Sequence, residues 1–416
     1  MEKLAIHGGK SAIDLKMPHY IWPIIDKSDI VAVTNQLQET VSIYDNSGVF
    51  KEFEKKWKDL HGADFALLTN SGTSALFSLF VGVGLKESDE IICPNYTFFA
   101  TITTALTLGA VPVFCDCDEN GNINPEYIEG LITRKTKAVV ITHIWGVPCQ
   151  MDKIVAICKQ YHLHLIEDCS HAHGAKYKGQ LVGTFGIGAA WSLQGQKIIT
   201  GGEGGILTTS SEEVYYRALL LGHYNKRCRQ EIPQDHPLYA YASTGFGHKF
   251  RAHPLAVSLA MNQLSKLDCF LMVKRKYARF LIKELAGFPF LQLPQCNDGD
   301  PSWYAFVMRF DPQKSNGFTR QQFIELLHSE GLKEVEIPNS TCPLADLPLF
   351  NTDDRLDLPW EISRNNQSKQ SFVNSALFYS QAIKIPVWAR EEDNIVVEKY
   401  VKGIKKVSQY ILDFKA

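Results

Sequence analysis

Between residues 65 and 166, short apolar runs alternate with helical patterns, and this alternation constrains the fold more than any other property of the chain. Residues 65–68, 90–93, 111–114, 138–142 and 163–166 read as strands. Residues 73–83, 100–108 and 151–161 carry helical periodicity between them. The strands are almost continuously apolar, so both of their faces must be covered, as in parallel sheets packed between helices. The sequence therefore predicts an α/β fold, with a mostly parallel central sheet and helices on both faces. Residues 188–192 and 205–208 supply two more strand candidates.

Near residue 255 the pattern changes to a long helical stretch (255–268, then 272–288), followed by strand candidates at 304–309 and 383–386. A smaller α+β unit is expected there. The resulting division is an N-terminal arm over 1–30, a large α/β domain over 31–260 and a small C-terminal α+β domain over 261–416. At 416 residues, more than one domain is the natural expectation. Tyr20 and Trp22, in the arm, need a surface to pack on, and a partner subunit would offer one. The formal net charge of −2 gives no reason to expect nucleic acid or an anionic membrane as a partner. No apolar run reaches the ~20 residues of a membrane span, and the first residues lack a signal peptide's apolar segment. Ten scattered cysteines without a CxxC motif predict neither a metal site nor a disulfide framework, and point to the reducing cytoplasm.

The chemistry-bearing residues fall on the ends of these elements. Lys197 stands among apolar and uncharged neighbours and is followed by Thr200, Gly201, Gly202, Gly204 and Gly205. A desolvated lysine amine is the group that condenses with a carbonyl cofactor. Residues 70–75, Asn-Ser-Gly-Thr-Ser-Ala, join a strand to a helix. The free amides of such a turn, at the positive end of the helix dipole, suit a phosphate. Ser71 or Thr73 serves equally well as a helix cap, and the segment alone leaves both roles open. Glu167 and Asp168 end a strand, where ligands gather in open α/β sheets. A carboxylate there would keep a pyridine nitrogen protonated, or would cap the next helix. Phe98 belongs to an aromatic run after another strand, and Ser192 precedes Lys197 by five residues. Together these are the fittings of a pyridoxal phosphate site. A GxGxxG turn after the first strand is missing, which excludes a dinucleotide-binding reading.

The same segments carry a family resemblance. In order they are 50–54 (Phe-Lys-Glu-Phe-Glu), 70–73, 94–98 (Pro-Asn-Tyr-Thr-Phe), 141–146, 167–175 and Lys197 with Gly202-Glu203-Gly204-Gly205. The chain resembles the DegT/StrS family of pyridoxal-phosphate-dependent sugar aminotransferases, a branch of the aspartate-aminotransferase fold (fold type I). The resemblance is clear from about residue 50 to 264 and looser beyond. It implies that Lys197 carries the cofactor covalently and acts as general base, and that Asp168 pairs with the pyridine nitrogen. It implies that Phe98 stacks on the ring, that Gly72, Thr73 and Ser192 hold the phosphate, and that His171 stands near the 3-oxygen.

One departure is visible. The family's Gly-x-Asn-x-Arg supplies an asparagine to the neighbouring subunit's phosphate, but Gly247-His248-Lys249-Phe250-Arg251 stands here. Lys249 is the candidate for that contact. The resemblance further implies a homodimer with sites at the interface, glutamate or glutamine as donor, and a keto-sugar or keto-cyclitol as acceptor. Acceptor contacts are expected in the loops 42–49, 223–243 and 339–350. Family members that act as dehydratases replace the lysine with histidine, which this chain does not. A catalytically silent binding protein is a further alternative, against which Lys197, Asp168 and Ser192 argue.

Overall fold

In a computed structural model, which describes residues 2–14, 18–296, 298–351 and 372–414, the alternation becomes a seven-stranded sheet. Its strands are β1 (Phe65–Thr69), β2 (Glu90–Pro94), β3 (Val111–Cys115), β4 (Thr136–Thr142), β5 (His164–Asp168), β6 (Gly188–Ser192) and β7 (Gly205–Thr209). They lie in the order β1-β7-β6-β5-β4-β2-β3. Every pair is parallel except those that β7 makes with β1 and β6. The sheet is thus mostly parallel, as expected, with one reversed strand next to its edge.

Helices α1 (Lys27–Glu39), α2 (Gly48–His61), α3 (Gly72–Gly82), α4 (Ala100–Leu106), α5 (Met151–Gln160), α6 (Glu212–Gly222), α7 (Asn225–Glu231), α8 (Pro254–Leu264) and α9 (Leu267–Leu285) surround or follow it. Alternate strand residues face opposite layers. Leu67, Val140, Ile166, Ala190 and Leu207 meet Leu76, Leu79 and Leu219, from α3 and α6. Ala66, Leu68, Ala189, Trp191 and Ile206 meet Phe53, Trp57 and Val257, from α2 and α8. Val139, Ile141 and Leu165 meet Met151 and Ile154 of α5. Burial on both faces is the physical reason the strands read as unbroken apolar runs.

The C-terminal part holds a three-stranded antiparallel sheet of β8 (Leu291–Gln292), β9 (Phe306–Phe310) and β10 (Ala382–Ile385). Helices α10 (Arg320–Ser329), α11 (Val373–Gln381) and α12 (Asn394–Asp413) accompany it. Its core unites Leu281, Met308, Phe323, Trp388, Tyr400 and Ile404.

The arm finds a seat within the same chain. Leu4 and Ile13 enter the C-terminal core. Buried Glu330 fixes their backbone, accepting hydrogen bonds from Ala5 N at 2.7 Å and Ala12 N at 2.9 Å and an ion pair from Lys406. Tyr20 packs edge-on against Trp388, and Trp22 edge-on against Phe270. A capping box between Asp26 and Asp29 then starts α1. Among the described residues no helix is long and apolar enough to cross a membrane.

Candidate active site

The carboxyl ends of the parallel strands and the start of α3 enclose a cavity of about 380 Å³. Gly72, Thr73, Phe98, Asp168, His171, Ser192 and Lys197 all line it, although they come from five separate segments. Lys249 does not line it in this chain. Its ammonium lies over the Tyr224 ring, 5.1 Å from the centroid. Of the three loops expected to contact the acceptor, 339–350 contributes Ser340 to the lining.

The α3 end of the cavity is formed by close backbone approach. A Cβ added to Gly205 would meet Ser71 C and O at 2.3 Å, and one added to Gly72 would meet Ser192 Cβ at 2.8 Å. Glycine at both positions lets the first turn of α3 press onto β6 and β7. Ser71 takes the capping role, its Oγ accepting from Ser74 N at 3.0 Å. The Gly72 and Thr73 amides, at the first two helical positions, have no intrahelical acceptor and point with the positive end of the dipole.

At the end of β5, Asp168 is buried and hydrogen-bonded on both oxygens. Ser170 N donates to Oδ1 at 3.0 Å and Thr101 Oγ1 donates to Oδ2 at 2.8 Å. Behind Thr101 the hydroxyls of Thr142 and Thr97 continue the relay. Thr97 donates to Thr142 at 3.0 Å, and Thr142 stands 3.1 Å from Thr101. Because Thr101 spends its one proton on Asp168, Thr142 is the donor of that pair. All three hydroxyls thus point their protons along the chain toward the carboxylate.

Lys197 follows β6 in a turn closed by its own N–H to Gln194 O at 2.8 Å. Burial pushes its amine down to about 8, and the nearby Asp168 carboxylate opposes that shift. The amine stands 4.7 Å from the Tyr304 ring centroid. Tyr304 in turn stacks on His171, with centroids 4.1 Å apart and planes within 6°. Burial and the charge of Lys197 hold the His171 imidazole well below its ordinary value. Trp145 N donates to His171 Nδ1 at 3.4 Å, which leaves the ring proton on Nε2.

Sequence reasoning missed Thr101, Thr142 and Tyr304. Thr101 lies 67 residues from its carboxylate and has no local signature. A second buried cluster, His143, Glu167 and Cys169, combines ligand types that a metal would use. Glu167 is already satisfied there by the amides of Gly183, Phe185 and Gly186 and by His143 Nε2. His143 Nδ1 accepts from Cys149 N at 3.0 Å, so its proton sits on Nε2, facing the carboxylate. The cluster fastens the end of β5.

A mostly parallel sheet with one reversed strand, and a half-buried lysine facing a carboxylate across a cavity floored by a helix N-terminus, define a pyridoxal-phosphate-dependent enzyme of the aspartate-aminotransferase fold. Residues 23–398 match the DegT/DnrJ/EryC1/StrS aminotransferase family, and the chain belongs to that family. It is 34% identical over 402 residues to the spore coat polysaccharide biosynthesis protein SpsC of Bacillus subtilis, covering 92% of this chain and 97% of that one. It is 30% identical over 343 residues to a putative L-glutamine:3-amino-2,3-dideoxy-scyllo-inosose aminotransferase of Micromonospora echinospora, covering 80% and 78%. The structure of an aminotransferase from Psychrobacter cryohalolentis superposes with a TM-score of 0.82 at 25% identity, over 95% of this chain and all of that one.

The residues fit the cofactor on structural grounds. The cavity opposes a carboxylate that lacks a cation of its own to a helix N-terminus with free amides, and the half-buried lysine amine and Phe98 lie along its wall. When bound, pyridoxal phosphate supplies an aldehyde that joins amines and a ring that draws negative charge from the substrate carbon.

Proposed function

We propose that the chain transfers an amino group from glutamate or glutamine to the ketone of a sugar or cyclitol. The observation that carries this reading is the convergence of Lys197, Asp168 and the α3 N-terminus on one cavity. The names of two relatives support it: one is named for amino transfer to a scyllo-inosose derivative and another for polysaccharide biosynthesis.

In this reading Lys197 holds the cofactor covalently. Its amine, when free, would take the proton from the donor's amino-bearing carbon. An amine with a value near 8 suits that task, because a useful fraction is unprotonated near neutrality. Asp168 would pair with the ring nitrogen and hold its proton, and the Thr97–Thr142–Thr101 relay donates toward that carboxylate. The Gly72 and Thr73 amides, with Thr73 and Ser192 hydroxyls, hold the phosphate. Phe98 covers one face of the ring, and His171 Nε2–H serves the 3-oxygen. Residues 31–260 form the cofactor-binding body and 261–416 the smaller one.

The exposed side chains of Ile30, Val31, Leu37 and Val41 along and just after α1 support a homodimer. Lys249 would then reach the phosphate of the neighbouring subunit's cofactor. Ten unpaired cysteines suit the reducing cytoplasm. A coupled amination assay tests the acceptor, offering keto-cyclitols and nucleotide-linked keto-sugars with each donor. Conversion of neither class, by protein that shows the cofactor's visible absorbance, would overturn the substrate assignment.

A further inference from the structure

Lys274 is a buried cation that the chemistry above leaves unused. It is 1% exposed, and among the described residues no carboxylate is bonded to it. Its Nζ donates to Val387 O at 2.6 Å and to Trp303 O at 3.2 Å, and lies 5.1 Å from the centre of the Trp22 ring. A lysine without a counter-ion is costly to bury, and burial alone brings its amine down to about 7. Apolar packing would have filled this volume at lower cost, so the contacts that Lys274 makes are the reason to look further.

Both of its neighbours lead to Lys197. Trp22, whose face it covers, donates its indole Nε1–H to the main-chain carbonyl of Lys197 at 3.2 Å. That is a contact across 175 residues, from the N-terminal arm to the turn that bears the amine. Trp303, whose carbonyl it binds, adopts a left-handed φ of 55°. It immediately precedes Tyr304, the ring beneath the Lys197 amine. Phe270 braces the indole from its edge with centroids 5.4 Å apart, and Tyr20 lies parallel to it. One ammonium thus holds the indole that fixes the lysine's backbone and the carbonyl next to the ring that flanks its side chain.

We propose that Trp22 and Lys274 are positioning residues for Lys197. Trp22 fixes the lysine's main chain through its indole N–H, and Lys274 clamps Trp22 and the Trp303–Tyr304 junction around it. This rests on Lys197 being the cofactor's covalent anchor. Neither residue lines the cavity, so their influence is exerted through Lys197.

The test uses the full chain freed of cofactor and reloaded with pyridoxal phosphate, read by visible absorbance and by melting temperature. Trp22→Phe keeps an aromatic ring beside Lys274 and Phe270 but removes the donor. It is expected to weaken and slow cofactor uptake about 3- to 10-fold, the worth of one net hydrogen bond, while the cofactor-free protein melts within ~2 °C of the parent. Lys274→Met should have the same sign and a larger size, since it leaves two carbonyls and the indole face unpartnered. Leu4→Ala loosens the arm at its seat in the C-terminal core, away from Trp22, Lys274 and Lys197, and should leave uptake near that of the parent. Parental uptake by Trp22→Phe overturns the proposal. So does a loss in Leu4→Ala equal to that in Trp22→Phe, which would assign the effect to arm docking. Lys197→Ala separates the two levels: a visible band in that variant would refute the anchor assignment itself.

Discussion

Gly72→Ala places one methyl group where the cavity is tightest. The new Cβ would lie 2.8 Å from Ser192 Cβ and 3.0 Å from Ser192 Cα. Ordinary carbon contacts begin near ~3.5 Å, so about 0.7 Å must be found. Two effects oppose each other. Alanine is favoured over glycine in helices by up to about 1 kcal/mol, whereas overpacking a site of this kind costs about 1–3 kcal/mol. One contact is backbone and the other a Cβ fixed to it, so a rotamer change cannot absorb the clash, and the steric cost wins. The cheapest relief moves the first turn of α3 away from β6, which spreads the amides and the Ser192 hydroxyl proposed to grip the phosphate. If the whole cost is felt there, pyridoxal phosphate binds about 5- to 150-fold more weakly. The assay is a titration of cofactor-free protein followed by visible absorbance, with Gly130→Ala as control, because a Cβ there meets nothing within 4 Å. If Gly72→Ala bound the cofactor as tightly as the Gly130 variant, the argument that this contact shapes the cradle would be refuted.

Other consequences are equally open to measurement. Only an unprotonated Lys197 attacks an aldehyde, so uptake by cofactor-free protein should rise about tenfold per pH unit below about 8 and level off above it. Replacing Asp168 by Ala removes the charge that raises this amine, so the midpoint of uptake should move to lower pH; movement to higher pH would contradict the stated cause. Thr101→Val removes the hydroxyl proton from Asp168 Oδ2 and should slow turnover several-fold, about 1 kcal/mol, with little change in melting temperature. Glu54→Ala removes the carboxylate that Arg227 grips through two bonds of 3.0 and 2.7 Å and that also accepts from Leu68 N, and leaves the buried guanidinium with Glu231 as its remaining counter-ion. A loss of about 3–5 kcal/mol is expected in denaturant unfolding, and a loss below ~1 kcal/mol would show that Glu231 suffices to neutralise Arg227.

The legible part of the molecule was whatever one segment announces by itself. Strands buried on both faces are continuous apolar runs, so the sheet could be read from residues 65–166. Lys197, Asp168, Phe98 and the turn at 71–73 each sit on a strand end or helix start, where the order of elements implies a shared rim. The reversal of β7 could not be read, because Gly205–Thr209 is apolar in either direction. Thr101 was hidden for another reason: its hydroxyl matters only because α4 stands over the end of β5, a relation between distant segments. Tyr304 and Trp22 belong to the same class. Trp22 looked like an apolar side chain in search of a surface, and its indole N–H proved to be the informative atom.

The clasp on Glu330 also bears on the order in which the protein matures. Ala5, Ala12 and His19 leave the ribosome long before Glu330, Trp388, Tyr400 and Lys406, which build their seats. The seven-stranded sheet is encoded by residue 209, so it can form while the arm is still unattached. Trp22 finds Phe270 and Lys274 only once α9 has been made, and Tyr20 beside it finds Trp388 later still. The last of the residues that brace the lysine are therefore made after the sheet that carries it.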